Sequence, residues 1–120
     1  MEMKVRIINV YCPTEETQRN EFLDSLWEYA NSSRVIWLAG DFNFMIDVNI
    51  DRVTKQYLPA TRGTQAPHLT SCRVFEPFQK ATRLIDVYRF VEPTARSFTY
   101  YRAFYKVGTR IDRIYIQRIV

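Results

Sequence analysis

The run Val35-Ile36-Trp37-Leu38-Ala39, breaking into Gly40-Asp41-Phe42-Asn43, most narrows what this chain can fold into. An unbroken apolar run of this length, opened by two β-branched residues and closed by a glycine, reads as a buried central strand. Side chains alternate along a strand, so Asp41 and Asn43 are expected on one side and Phe42 in the packing on the other. A carboxylate and an amide at the end of a buried strand suit one chemistry. The carboxylate can hold or deprotonate a water, and the amide can donate to a phosphate oxygen whose charge grows during attack. The same four residues also serve as a plain turn, since Asp and Asn bend chains and cap helices.

The elements around that strand alternate. Lys4 to Tyr11 is rich in Val and Ile and reads as a strand, followed by a turn at Pro13 and a helix from about Glu15 to Ala30. Phe22, Leu23, Leu26, Trp27 and Ala30 recur at helical spacing and predict one buried stripe, with Thr14 as the cap. From Phe44 to about Thr70 periodicity is lost around Pro59, Gly63 and Pro67, which predicts a long excursion with at most a short helical turn. Between Leu69 and Phe90 the pattern is mixed, and Pro77 is expected to stop any one helix from running through it. Phe98 to Phe104 and Thr109 to Arg118 read as two strands joined as a hairpin around Lys106-Val107-Gly108. The last strand carries Ile114 and Ile116 on the side of Asp112, and Ile111 and Tyr115 on the other. Apolar groups on both sides predict a strand buried on both faces, as in a layered sandwich.

Charge is uneven. From Thr82 to Val120 there are eight Arg and Lys against three acids, a net of +5, whereas the rest of the chain is close to neutral. Interleaved with Phe98, Tyr100, Tyr101, Phe104 and Tyr105, this basic third suits a polyanion, because cations neutralise phosphates and rings stack on bases. Arg96, Tyr101, Arg102 and Arg110 are the candidate nucleic-acid contacts. The alternative is that the aromatics are sheet core and the arginines its solvated rim. With 120 residues, 47% of them hydrophobic, a single domain over residues 1–120 is expected. No apolar run approaches the ~20 residues of a membrane span, and Met-Glu-Met-Lys-Val-Arg lacks the apolar core of a secretory signal. Cys12 and Cys72 stand apart with no paired metal spacing, which fits a reducing, intracellular setting, nuclear or cytoplasmic.

Four segments in order carry a resemblance: Ile7-Ile8-Asn9-Val10-Tyr11-Cys12-Pro13, Gly40-Asp41-Phe42-Asn43, Ser97-Phe98-Thr99-Tyr100-Tyr101, and Thr109-Arg110-Ile111-Asp112-Arg113-Ile114-Tyr115-Ile116. Together they resemble the endonuclease/exonuclease/phosphatase family. Asp51-Arg52 and Leu84-Ile85-Asp86-Val87-Tyr88-Arg89 favour its branch of apurinic-like endonuclease domains in LINE-type (non-LTR) retrotransposons. The resemblance implies part of a four-layer α/β sandwich, two packed β-sheets flanked by helices. It implies that Tyr11 lies against the scissile phosphate, that Asp41 positions or deprotonates the attacking water, and that Asn43 hydrogen-bonds a non-bridging oxygen. Asp112 resembles the carboxylate that orients the family's catalytic His. The implied cofactor is Mg²⁺, with Mn²⁺ as a substitute and Asp41 as a weak ligand. The implied reaction is in-line attack of water on a phosphodiester of DNA, leaving a 3′ hydroxyl for the reverse transcriptase of the same polyprotein.

The match covers only the later part of such a domain. The early strands, which supply an Asn and the principal metal-binding Glu, have no counterpart, nor has the terminal Ser-Asp-His segment. His68 is read as a loop residue rather than a substitute catalyst. The chain is therefore expected to be an impaired or inactive portion of a Mg²⁺-dependent endonuclease. The alternative is a non-catalytic remnant that binds nucleic acid or a partner, including self-association through an uncovered sheet.

Overall fold

A computed structural model describes residues 2–31, 33–54, 62–102 and 107–119. Strand β1 (Val5–Tyr11) leads through helix α1 (Glu16–Ser25) and a 3₁₀ turn (Leu26–Tyr29) to β2 (Val35–Asp41). A short helix α2 (Val48–Asp51), strand β3 (Arg52–Thr54) and the long helix α3 (Arg62–Thr82) follow. Next come β4 (Leu84–Asp86), α4 (Val87–Val91), β5 (Tyr100–Arg102), β6 (Val107–Thr109) and β7 (Asp112–Gln117). Four strands form one sheet in the order β1-β2-β7-β4, and three form a second in the order β3-β6-β5.

The first sheet is mixed. β1 and β2 are parallel, as their α1 crossover requires, and β7 runs antiparallel to both β2 and β4. Its even-numbered residues on β1 and β2 turn to the helices: Val10, Ile36 and Leu38 are buried against Leu23, Leu26, Phe75 and Phe78. β7 contributes Tyr115, and the turn after β2 contributes Phe42 and Phe44, whose rings meet Phe75 edge-on. Gly40 lies at φ +143°, and a Cβ there would fall 2.0 Å from the Val10 carbonyl oxygen. Only glycine fits that close approach of β1.

Several expectations give way to packing. α3 runs unbroken through Pro77, because Ser71, Phe75, Phe78 and Thr82 form one fully buried stripe while Pro77 faces solvent. Burying two phenylalanines outweighs one lost backbone hydrogen bond. His68 therefore sits on a helix and not in a loop. Residues 55–61 of the expected excursion lie outside the described residues. α1 is capped by Glu15 instead of Thr14: its carboxylate accepts from the backbone N–H groups of Thr17 and Gln18 at 2.9 and 2.8 Å. Within the expected buried stripe, Trp27 stays partly exposed with its ring edge-on to Phe78.

The final strand, expected from Thr109 to Arg118, starts later, at Asp112, and a separate short strand precedes it. Val107–Thr109 pairs with Tyr100–Arg102 in the second sheet, and Asp112–Gln117 crosses to the first. The expected hairpin is not formed: Val107 and Gly108, expected in its turn, belong to β6, which pairs with β5, while the last strand joins the other sheet. Residues 103–106 lie outside the described residues. β7 is also not buried on both faces: Arg113 and Tyr115 enter the core, while Asp112 and Ile114 face outward. No described helix is long and apolar enough to cross a membrane, and Cys12 and Cys72 are unpaired thiols.

Candidate active site

Strand pairing sets three polar side chains in one row. Tyr11 on β1 pairs with Asp41 on β2, and Asp41 pairs with Asp112 on β7. All three belong to the face turned away from the helices, where Tyr11 is 75% exposed and Asp112 is also open to solvent. Burial raises the Asp41 pKa, opposed by the hydrogen bond from the Asn43 N–H; the Asp112 carboxylate raises it further and Arg113 lowers it. Two carboxylates this close repel, and a cation between them relieves the repulsion.

Asn43 reaches the site by a different route from strand alternation. The chain leaves β2 after Asp41, and Asn43 adopts a left-handed φ of 53°. Its N–H donates to Asp41 Oδ1 at 2.9 Å, and its side-chain Nδ2 donates to the Cys12 carbonyl at 2.5 Å. This Asx turn ties the strand end to the loop after β1, and Asn tolerates that backbone shape better than most residues. One amide hydrogen is engaged with Cys12, and an amide carries a second donor hydrogen.

Asp112 is held from behind. Thr99 Oγ1 accepts the N–H groups of Ile111 and Asp112 at 3.2 and 3.1 Å, and the Phe42 N–H donates to the Ile111 carbonyl at 2.9 Å. Arg110, 3% exposed, pairs with Asp51 at 2.8 Å and Asp86 at 2.7 Å, while Arg89 reaches the same Asp51 oxygen at 2.6 Å. The Tyr88 ring lies under both guanidinium groups, with centroid distances of 5.6 Å to Arg89 and 5.5 Å to Arg110. Burial works against the charge of Arg110, but the two carboxylates outweigh it and hold its pKa above the ordinary arginine value. Arg110 is thus spent within the chain, which corrects its reading as a phosphate contact.

The other nucleic-acid candidates stand at the second sheet. Tyr101 is exposed with its ring edge-on to Phe98, and Arg96, also exposed, donates to the Arg52 carbonyl at 2.9 Å. The side chain of Arg102 lies outside the described residues. Between α4 and β7, beside Asp112, runs a groove of about 720 Å³ lined by Val87, Tyr88, Val91, Thr99 and Ile114. That size suits a small organic moiety.

Among the described residues no cluster of three or more His, Cys, Asp or Glu side chains could hold a metal. Asp41 and Asp112 are a carboxylate pair, and Mg²⁺ is commonly held by one or two carboxylates with waters and substrate phosphate. The donor set fits that minimum. His68, the only histidine, accepts the Met45 N–H at Nδ1, 3.0 Å away, and does not stand in the row.

Local sequence did not reveal that Asp51 and Asp86 hold Arg110, two residues before Asp112, or that Thr99 accepts the Asp112 N–H. A signal existed in the Asp51-Arg52 and Leu84-to-Arg89 segments, but pairing across 59 residues of sequence, as between Asp51 and Arg110, leaves no local trace.

No protein-family model matches the chain. It is 31% identical over 115 residues to the "Transposon TX1 uncharacterized 149 kDa protein" of Xenopus laevis, a match covering 92% of this chain and 8% of that protein. An AP endonuclease from Archaeoglobus fulgidus superposes with a TM-score of 0.71 at 17% identity, covering 94% of this chain and 49% of that one. The 3′ phosphatase NExo from Neisseria, solved with a product DNA hairpin, superposes at 0.63 with 21% identity, covering 94% and 48%. The chain spans about half the length of these solved structures and a small part of the transposon protein. Its fold is that of their α/β sandwich.

Proposed function

We propose that this chain, a homologue of a transposon-encoded protein built on the endonuclease/exonuclease/phosphatase fold, carries the phosphate-attacking end of a DNA endonuclease. The observation that carries the reading is the row Tyr11, Asp41 and Asp112 across three paired strands, with the Asn43 turn beside it. The segment is the later portion of such a domain. Its natural setting is a longer transposon polyprotein whose reverse transcriptase extends the nicked strand.

In this reading Asp41 holds the attacking water and accepts its proton, since burial and Asp112 make it more basic than an ordinary aspartate. The Asn43 amide donates to a non-bridging oxygen, where negative charge accumulates. Tyr11, exposed at the end of the row, hydrogen-bonds the phosphate from the other side. Asp41 and Asp112 would hold Mg²⁺, or Mn²⁺ in its place, which supplies charge stabilisation at the phosphate and the leaving oxygen. Arg96, Tyr101 and Arg102 flank the duplex.

No imidazole stands at the row, because the single histidine is engaged on α3. General acid–base catalysis contributes roughly 10²–10⁴-fold, so nicking by this chain alone is expected to be slow by about that factor. The experiment is nicking of supercoiled plasmid in Mg²⁺, with EDTA and Asp41→Ala alongside. Slow nicking abolished by both controls is the expected outcome, and nicking indifferent to Asp41→Ala refutes the assignment. A folded chain that binds DNA with a steep salt dependence, unchanged by Asp41→Ala, and does not nick supports the second reading, a nucleic-acid-binding remnant. The missing imidazole favours that second reading.

A further inference from the structure

Beyond Asn43 the chain leaves the sheet and turns inwards, burying Phe44 fully and leaving Met45 2% exposed. Backbone polar groups at such depth need partners, and past the end of β2 side chains supply them. Arg113 on β7 donates from Nη1 to the Phe44 carbonyl. On α3, His68 Nδ1 accepts the Met45 N–H at 3.0 Å, and Cys72 Sγ donates to the Met45 carbonyl at 3.1 Å. His68 and Cys72 are about one helical turn apart, so one face of α3 grips both backbone groups of a single residue. Each is in the protonation state that this grip requires. A ring accepting at Nδ1 is neutral with its proton on Nε2, and burial, with Arg19 of α1, Arg52 of β3 and Arg113 of β7 nearby, lowers the pKa of that ring to about 4. A sulfur that donates is a thiol, and burial pushes the Cys72 pKa up to about 11.

We infer that His68 and Cys72 are positioning residues for Asn43, clamping the chain just beyond it so that its left-handed turn and its side-chain amide stay in place beside Asp41. The turn is fixed in front by the Phe42 N–H, which donates to the Ile111 carbonyl at 2.9 Å, and behind by the grip on Met45. Between those two points Asn43 holds a φ of 53°, a shape that a residue other than glycine keeps only where its surroundings enforce it. Freeing the rear point lets Asn43 relax towards extended backbone, which carries its N–H off Asp41 and its amide off the Cys12 carbonyl. Asp41 and Asp112 are held by strand pairing and need no such help. The amide depends on the turn, and through it α3 reaches the site although none of its side chains stands in the row. What the amide faces rests on the nuclease reading; the clamp itself does not.

Backbone amide hydrogen exchange and the side-chain amide NMR signals of Asn43, measured on the whole chain, test the clamp. His68→Leu removes the acceptor, whereas His68→Asn returns an oxygen near the place of Nδ1. Cys72→Ala removes the donor, whereas Cys72→Ser keeps one. A hydrogen bond of ordinary net strength changes a local opening equilibrium about fivefold. His68→Leu and Cys72→Ala are expected to speed exchange at Asn43 and Met45 by about that factor relative to Leu38 within β2, and to shift the Asn43 side-chain signals. His68→Asn and Cys72→Ser should restore both. The ratio to Leu38 removes any general loss of stability. Should His68→Leu fail to fold, Cys72→Ala decides alone, since it deletes one sulfur at a half-buried position. Exchange at Asn43 that moves only in step with Leu38, or that the asparagine and serine variants do not restore, overturns the clamp. Plasmid nicking in Mg²⁺ keeps the two failures apart: nicking indifferent to Asp41→Ala refutes the nuclease reading, while the exchange ratios still decide whether His68 and Cys72 hold Asn43.

Discussion

Asp51 is the residue on which the site leans without touching it. At 1% exposure it binds two guanidinium groups and accepts the Asp47 N–H at 3.0 Å. Burial raises its pKa, yet Arg110, the Asp47 N–H and Arg89 together hold it below the ordinary carboxylate value. Removing one partner of a buried pair leaves the other charge stranded. Asp51→Ala is therefore expected to cost about 3–5 kcal/mol in urea unfolding. A loss below about 1 kcal/mol would mean that Arg110 finds sufficient partners in Asp86 and water. Asp41 and Asn43 were legible at this scale because a glycine and two polar residues interrupt an apolar run. Asp51 and Arg110 were not, since nothing local separates a buried ion pair from a solvated one.

At the scale of elements, α3 is the main departure from local rules. Pro77 should end a helix, yet the stripe of Ser71, Phe75, Phe78 and Thr82 buries through it. An interior proline costs about 3 kcal/mol relative to alanine. Pro77→Ala is expected to raise stability by roughly 1–3 kcal/mol without moving the helix ends, part of the gain being offset by the freer unfolded chain. Chemical unfolding and far-ultraviolet circular dichroism measure this. A loss of stability would mean that the proline shapes the helix for packing and is not merely tolerated. The change of sheet between β6 and β7 is likewise invisible to periodicity: apolar alternation continues through Arg110, and the burial of that side chain between Asp51 and Asp86 marks where the chain crosses over.

Across the whole molecule, acid should loosen the fold before it unfolds it. His68 is held neutral: burial, with Arg19, Arg52 and Arg113, lowers its pKa to about 4 from 6.5. The unfolded ring takes up its proton near 6.5 and the folded ring resists until about 4. The native state thus binds fewer protons in that window, and stability present above 6.5 is lost as pH falls towards 4. For a partly exposed ring the loss is on the order of 1–2 kcal/mol. Urea midpoints across that range should fall for the wild type and stay flatter for His68→Gln; equal slopes would remove His68 as the cause. By itself the sequence determined the central strand, its polar end and the order of the motifs that carry the family resemblance, because strand alternation and glycine placement are local properties. The tertiary structure alone decided which side of each strand is buried, that α3 survives its proline, and that Arg110 serves Asp51 instead of a phosphate, because burial and ion pairing depend on residues brought together from distant parts of the chain.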